Sequence, residues 1–508
     1  MKKIFNWSIW ILVIAVGVAG CIKKKPIKKA TKPNIVVLLA DDLGWGDVQV
    51  YNPESKIPTP NLNNLAEEGM RFTDAHTASA VCTPTRYGLL TGRYPWRTRL
   101  KSGVLFPPAN PLISHDRETL ASLLKKQGYY TAGVGKWHLG LDWAMKNKNQ
   151  IDFTQPISDS PVDHGFDESY IIAGSLDMPP YCYIKNNRVE AVPTKKVPKS
   201  LFGRPGLAVD GLKPEDVLPH FTDKVISIIR QHAQSRNGNP LFLYFPLNAP
   251  HKPVAPSREF QGKTKVGAYG DYVYEVDTMV GRVLDALKEN GMYDNTLLIM
   301  TSDNGTSPNA AKTALARGHD VNGPFRGMKA DIWEGGHRVP FFARWPGHIP
   351  AGVVQDETIS LNDLMATFSA VTGGKLSPDA GVDSYNILPA LLNKDLQKPI
   401  RPATVVASID GYFGMRKGKY KIDWCAGSGG WAHPRTQEAL KQGMPSIQLY
   451  NLDQDPGEQN NLYKEHPEMI REMETLMNQY ITNGRSNKGP EEENWQGATD
   501  WKQINWTN

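Results

Sequence analysis

Four sets of residues in this 508-residue chain have types and spacings that could do chemistry. Cys82 heads the string Cys82-Thr83-Pro84-Thr85-Arg86. Three residues separate it from Arg86, too few for the loop of a cysteine-based phosphatase, so a structural thiol is the plainer alternative. The residues from Tyr87 to Thr91 should continue as a helix with Cys82 at its N-terminus, where free N–H groups favour an anion. Asp41-Asp42 and Asp303-Asn304 form the second set, four hard oxygen donors without sulfur or imidazole. That donor chemistry suits Ca²⁺ or Mg²⁺ better than zinc. Either pair alone would read as a turn; each follows an apolar run, which favours a metal site. Lys136 and His138, in Gly135-Lys136-Trp137-His138-Leu139-Gly140, are the third set. His251, in Asn248-Ala249-Pro250-His251-Lys252-Pro253, and Lys329, closing Gly323-Pro324-Phe325-Arg326-Gly327-Met328-Lys329, are the fourth. Taken singly, each Lys or His would read as a solvated or satisfied side chain.

The elements around these residues must bring them together. Residues 34–40 are a continuous apolar, β-branched run, and 130–134, 241–245 and 296–301 resemble it. Such runs suit strands covered on both faces. Helical patterns lie between them: 60–68 after Thr59 as N-cap, 120–127 before a Gly128 stop, and 273–287. Strands alternating with helices predict an α/β fold with a mostly parallel sheet. Ligands of such sheets bind beyond the carboxyl ends of the strands. Asp41-Asp42, Lys136 and His138, His251, and Asp303-Asn304 all fall there. After about residue 395 the pattern changes. Residues 404–408, 411–423 and 448–452 read as antiparallel strands, 453–458 as a turn, and 465–481 as an amphipathic helix. The expected division is a catalytic domain at 33–395 and a smaller α+β domain at 396–508, with a polar tail carrying Trp495, Trp501 and Trp506. No internal repeat is present.

The net charge of +6 sits at one end. Residues 1–32 hold eight lysines and no acid, and without those charges the body is −2. The basic balance therefore does not point to nucleic acid. Met1-Lys2-Lys3, the apolar stretch 9–18 and Val18-Ala19-Gly20-Cys21 resemble a bacterial lipoprotein signal with its lipobox. The apolar stretch is short for a membrane-spanning helix, although an uncleaved anchor is the alternative. The expectation is a signal peptide at 1–21, lipid on Cys21, a basic tether at 22–32 and a body exported and held at a bacterial membrane, periplasmic or on the cell surface. Cys182 and Cys425 could pair in that compartment or stay separate thiols.

Cys82 to Arg86, running into Tyr87-Gly88-Leu89-Leu90-Thr91-Gly92-Arg93, resembles the signature of the formylglycine-dependent (type I) sulfatases. The Gly135–Gly140, Asn248–Pro253 and Gly323–Lys329 strings and Glu334-Gly335-Gly336-His337-Arg338-Val339-Pro340 are similar to further motifs of that family. The resemblance spans roughly 33–482 and is nearest the branch of arylsulfatases and galactose or N-acetylgalactosamine sulfatases. It implies an alkaline-phosphatase-like sheet and a sulfuric ester hydrolase. A maturation enzyme reading Pro84 and Arg86 would convert Cys82 to formylglycine (3-oxoalanine). One hydroxyl of the hydrate would attack sulfur, and the second would expel sulfate, where a plain serine would be left esterified. By the same resemblance one Ca²⁺ would be held by Asp41, Asp42, Asp303, Asn304 and an oxygen of modified Cys82. Lys136 would hold the sulfate or the aldehyde oxygen, His138 would bond the hydrate hydroxyl and help take its proton, and Arg86 would steady the modified residue. His251 and Lys329 would meet the leaving oxygen. Glu334 or Arg338 would support the site.

Specificity in this family sits in loops, and Asp177, Tyr181, Arg326, Trp431 and His433 are the candidate substrate contacts here. A lipid-anchored bacterial sulfatase suits fragments of sulfated polysaccharides, with galactose or N-acetylgalactosamine sugars the first expectation. Two alternatives remain. One is a phosphatase or phosphonate hydrolase of the same superfamily, where a second metal with extra His and Asp ligands is common. The other is a non-catalytic glycan-binding lipoprotein with Cys82 unmodified. The single set of oxygen ligands counts against the first and the intact motifs against the second.

Overall fold

The apolar run after Pro33 becomes β1 (Asn34–Asp41), with all eight residues buried. It lies near the middle of a ten-stranded sheet. The other strands, in chain order, are β2 (Met70–Phe72), β3 (Tyr130–Lys136), β4 (Glu168–Ile172), β5 (Ile184–Lys185), β6 (Arg188–Val189), β7 (Leu241–Pro250), β8 (Thr296–Ser302), β9 (Phe341–Arg344) and β10 (Val353–Gln355). Their spatial order is β10-β2-β9-β8-β1-β7-β3-β4-β5-β6. The centre, β8-β1-β7-β3-β4, is wholly parallel, and antiparallel strands flank it on both sides. The computed structural model describes residues 1, 32–148, 150–235, 238–497 and 501–504. The lipobox and almost all of the basic tether, like Trp506, lie outside the described residues.

β1 shows why both faces must be covered. Val36, Leu38 and Ala40 point into one apolar cluster and Ile35, Val37 and Leu39 into another, as a two-residue period requires. Each of these larger side chains contributes roughly 1.5–3 kcal/mol on full burial. The first cluster is closed by α1 (Pro60–Glu68), α4 (Val217–Ser235) and α5 (Ala268–Glu289). The second is closed by α2 (Cys82–Thr91), α3 (Leu120–Lys126) and α6 (Leu364–Thr372). The three-layer α/β arrangement read from the sequence is the one observed.

A separate four-stranded antiparallel sheet follows: β11 (Thr404–Ala407), β12 (Phe413–Lys417), β13 (Tyr420–Asp423) and β14 (Gln448–Asn451), paired in that order. α7 (Pro467–Thr482) sets Ile470, Met473 and Met477 against Val405, Met415, Ile422 and Leu449. Ala78, Tyr94 and Trp96, from the segments on either side of α2, join the same cluster, so the small sheet packs against the chain around α2. Cys82, Cys182 and Cys425 are all free and buried; the Cys182–Cys425 bridge that the sequence left open does not form. Among the described residues, no helix is long and apolar enough to cross a membrane.

Candidate active site

β1 delivers Asp41 and Asp42, β3 delivers Lys136 with His138 two residues beyond, β7 leads into His251, and β8 leads into Asp303-Asn304. The four central strands thus end at one place. Local backbone supports this convergence. Asp42 (φ 70°) and His138 (φ 58°) both adopt the left-handed conformation, which non-glycine residues rarely take outside tight or functional turns. Gly305, after Asn304, packs so closely on the Gly335 carbonyl that an added Cβ would stand 1.9 Å from its oxygen. The Glu334-Gly335-Gly336 string therefore seats the Asp303-Asn304 loop through its backbone.

α2 is buried along its whole length, with Cys82 at its first position and no side chain capping that end. Burial raises the Cys82 thiol pKa against the pull of Lys136 and Lys329, which argues against a resting thiolate. One turn on, Arg86 reaches Asp303 Oδ2 through Nε (3.0 Å) and Nη2 (2.7 Å) and donates Nη1 to the Lys136 carbonyl (2.8 Å). Lys136 Nζ donates to both oxygens of Asp41 (2.9 and 2.8 Å). Lys329 Nζ meets Asp42 Oδ1 in a short contact. Three buried carboxylates thus face three buried cations. Burial opposes the charge on Asp41, but Lys136, His251, Arg86 and Lys329 outweigh it and hold its carboxyl well below the usual range. Asp303 is pushed up to about 6, first by burial and then by the neighbouring Asp41 charge.

Two buried oxygens in this cluster, Asp42 Oδ2 and Asn304 Oδ1, have no hydrogen-bond partner. Asn304 Nδ2 turns inward to Asp42 Oδ1 (2.7 Å) and the Gly305 carbonyl (2.9 Å). Unsatisfied hard oxygens among carboxylates fit a divalent oxygen-seeking cation. Asp41, Asp42 and His251 also present ligand atoms within 4.8 Å of one another.

The two histidines have assigned protons. His138 Nε2 donates to the Leu105 carbonyl (2.8 Å), which leaves Nδ1 an acceptor, buried and unpartnered. Burial, Lys136 and Arg86 keep that ring neutral, its pKa well below the ordinary value. His251 Nδ1 donates to the Lys252 carbonyl (2.7 Å), and Nε2 faces Asp42 Oδ2 at 3.8 Å. Burial, then Lys329, lowers the His251 pKa.

A cleft of about 380 Å³ opens over Asp42, His251 and Lys329, with Trp431 and Arg435 on its rim. Of the five residues expected to touch substrate, Trp431 lines this cleft and is 37% exposed. Asp177 is buried beside it, paired with Arg204 (2.7 Å) and Lys252 (3.3 Å). The other three stand elsewhere. Tyr181 is buried, stacked on Phe202 at 4.1 Å and bonded to the Arg204 carbonyl, so it is a packing residue. Arg326 is spent on the Trp333 ring (3.6 Å) and the Glu458 carbonyl (2.8 Å). His433 is exposed and paired with Glu438 (2.7 Å), outside the residues that line the cleft. Glu334 and Arg338, expected to back the site, send their side chains towards each other and towards Lys421 and Asp74. Arg435, Ser307 and Asn309 line the cleft and were not anticipated. The place of Ser307 and Asn309 just past Asp303-Asn304 was the available signal.

A parallel sheet whose strand ends gather carboxylates and cations around the uncapped start of a buried helix is suited to hydrolysis of anionic esters. A sulfatase family model matches residues 33–374. An N-acetylgalactosamine-6-O-sulfatase of Bacteroides thetaiotaomicron is 32% identical over 92% of this chain and 98% of its own length. The N-acetylgalactosamine-6-sulfatase of Homo sapiens is 34% identical, over 84% of this chain and 80% of its own. A solved Bacteroides thetaiotaomicron structure, from work on the metabolism of multiple glycosaminoglycans, superposes with a TM-score of 0.78 at 32% identity, covering 88% of this chain and 99% of that one. The chain belongs to the sulfatase family and is a sulfuric ester hydrolase. These likenesses do not favour the phosphatase, phosphonate hydrolase or non-catalytic binding alternatives.

Proposed function

We propose that this protein hydrolyses sulfate esters of a galactose-type amino sugar within fragments of a sulfated polysaccharide, using Cys82 as formylglycine and one Ca²⁺. The observation that carries the reading is the convergence of Cys82, at the start of α2, with Asp41, Asp42, Asp303 and Asn304 at the ends of the adjacent strands β1 and β8. The sulfated-sugar substrate is supported by relatives named for N-acetylgalactosamine 6-sulfate. Formylglycine hydrate supplies a hydroxyl nucleophile where the thiol is too weakly ionised, and a divalent cation supplies charge neutralisation on sulfate. Asp41, Asp42, Asp303 and Asn304 are the residues to hold the cation.

The rest is the work of the chain's own groups. Lys136 and Arg86 fix the carboxylates in place and set positive charge around the anion. His138 Nδ1, the free acceptor, is suited to take a proton from the group on residue 82. Lys329 Nζ faces the cleft as an ammonium that can give a proton to the departing alcohol, and His251 Nε2, which carries no proton in this tautomer, faces it as an acceptor. Burial of Asp42, Lys136 and His138 keeps water from competing for these contacts. The N-terminal lipobox-like string supports export and attachment to a membrane by lipid on Cys21.

The test has two parts. The peptide containing Cys82, from protein made with a formylglycine-generating enzyme, should weigh about 18 Da less than the thiol form. Active protein with an intact thiol would overturn the chemistry. A panel of galactose and N-acetylgalactosamine sulfates then identifies the ester cleaved; release of sulfate from none of them would overturn the sugar.

A further inference from the structure

Beside the reaction cleft lies a second cavity of about 440 Å³ that no step above uses. Its walls carry three cations, Lys199, Arg204 and Lys252, against a single carboxylate, Asp177. Lys252 stands on the wall of both spaces, immediately after His251, so the cavity adjoins the cleft. Asp177 Oδ2 takes both Arg204 Nη1 (2.7 Å) and Lys252 Nζ (3.3 Å). Its Oδ1 is buried without a hydrogen-bond partner. One carboxylate cannot balance three cations, and an excess of positive charge faces the space.

The excess belongs to this region and not to the body as a whole. Residues 185–204 hold six basic side chains and one acid, Glu190, in a body whose net charge is −2 once the N-terminal lysines are set aside. Arg204 is also fixed in place: its carbonyl accepts from the buried Tyr181 hydroxyl (2.8 Å), and its guanidinium lies 5.1 Å from the centre of the Phe106 ring. That ring is 50% exposed and offers an apolar face next to the cations. It follows Leu105, whose carbonyl holds His138. An aromatic face for a sugar ring beside a fixed guanidinium for an oxyanion is a recognition unit in itself.

We infer that this cavity is a subsite for an anionic group, a carboxylate or a second sulfate, on the sugar next to the one that loses its sulfate. The substrate is then a fragment of an acidic polysaccharide, and an isolated sulfated monosaccharide fills only part of the site. The inference rests on reading the cleft as a site for sulfated sugars. Because Lys252 and Arg204 are partly exposed, the contribution is moderate and sensitive to salt.

The test is steady-state kinetics of the Lys199→Gln/Arg204→Gln double variant on one sulfated amino sugar in four forms: alone, beside a neutral sugar, beside a uronate and beside a second sulfated sugar. KM should rise about tenfold for at least one charged neighbour, with kcat little changed, and raised ionic strength should erase the difference. The lone sugar and the neutral form should be unaffected. The arm that responds says whether the anion is carboxylate or sulfate. Equal losses on all four forms, or none on any, would overturn the subsite. Calorimetric binding of a desulfated uronate–N-acetylgalactosamine tetrasaccharide and of a second-sulfated one to Cys82→Ala protein, with and without the double substitution, decides the question without turnover. Failure of the wild type to cleave any sulfated sugar would thus count against the hydrolysis reading alone.

Discussion

Replacing Cys82 by alanine removes one buried sulfur from the start of α2 and leaves the Arg86, Lys136 and Asp303 contacts intact. The expected result is loss of turnover with a stability cost of about 1 kcal/mol, measured as sulfate release and as denaturant midpoint. A large fall in stability would mean that Cys82 is a packing residue. Sequence motifs fared unevenly at this scale. Asp41, Lys136, His138, His251 and Lys329 were legible because each lies next to a strand end or within a distinctive string. Tyr181, Arg326 and His433 were not, because a polar side chain in a loop can face the site or its own neighbours equally well. What decided their fate was a Phe202 ring, a Trp333 ring and a Glu438 carboxylate, none of which the motifs themselves contain.

α1 shows how an element can be read correctly for an incomplete reason. The helix begins where Thr59 suggested, yet the Thr59 side chain makes no capping bond. Asp277 on α5 does the work from 216 residues away, accepting from Asn61 N (3.2 Å), Asn61 Nδ2 (2.8 Å) and Leu62 N (2.8 Å). A local rule could place the end of the helix but not supply its partner across the fold. The arrangement also titrates. Burial pushes the Asp277 carboxyl up to about 6 from its ordinary 3.8, despite those bonds. Between the two values the folded chain keeps a proton that the unfolded chain has lost. This group's contribution to stability is therefore full below about pH 4 and is lost as pH rises through about 6. The melting-temperature difference between wild type and Asp277→Asn should shrink over that interval and level off above it. A difference that is flat, or that grows with pH, would refute the assignment.

On the scale of the whole molecule, the small sheet is tied to the Ile332–Glu334 segment by charge as well as to Trp96 by packing. Lys421 on β13, buried, reaches Glu458 (2.7 Å), Glu334 (3.4 Å), Asp423 (3.8 Å) and the Ile332 carbonyl (2.8 Å). Burial pushes the Glu458 carboxyl up to about 7 even with that ammonium beside it. Lys421→Met should strand these acids and cost about 3–5 kcal/mol, read by denaturant unfolding; a cost under about 1 kcal/mol would show the network to be dispensable. The proposed cation also bears on the whole molecule. EDTA should lower both activity and melting temperature, and added Ca²⁺ should restore both, because the cation binds only the native arrangement of Asp41, Asp42, Asp303 and Asn304. No change in either quantity would remove the metal from the proposal.

The burial of α2 sets an order of events. Cys82 is 2% exposed and Arg86 is wholly enclosed, so an outside enzyme has no view of the string once the strands have closed around it. On the proposed conversion of Cys82, the converting enzyme must meet the chain while it is still open. Synthesis, the proposed conversion and closure then form a one-way schedule. A molecule that folds early is sealed with its thiol inside, and only unfolding gives it a second chance.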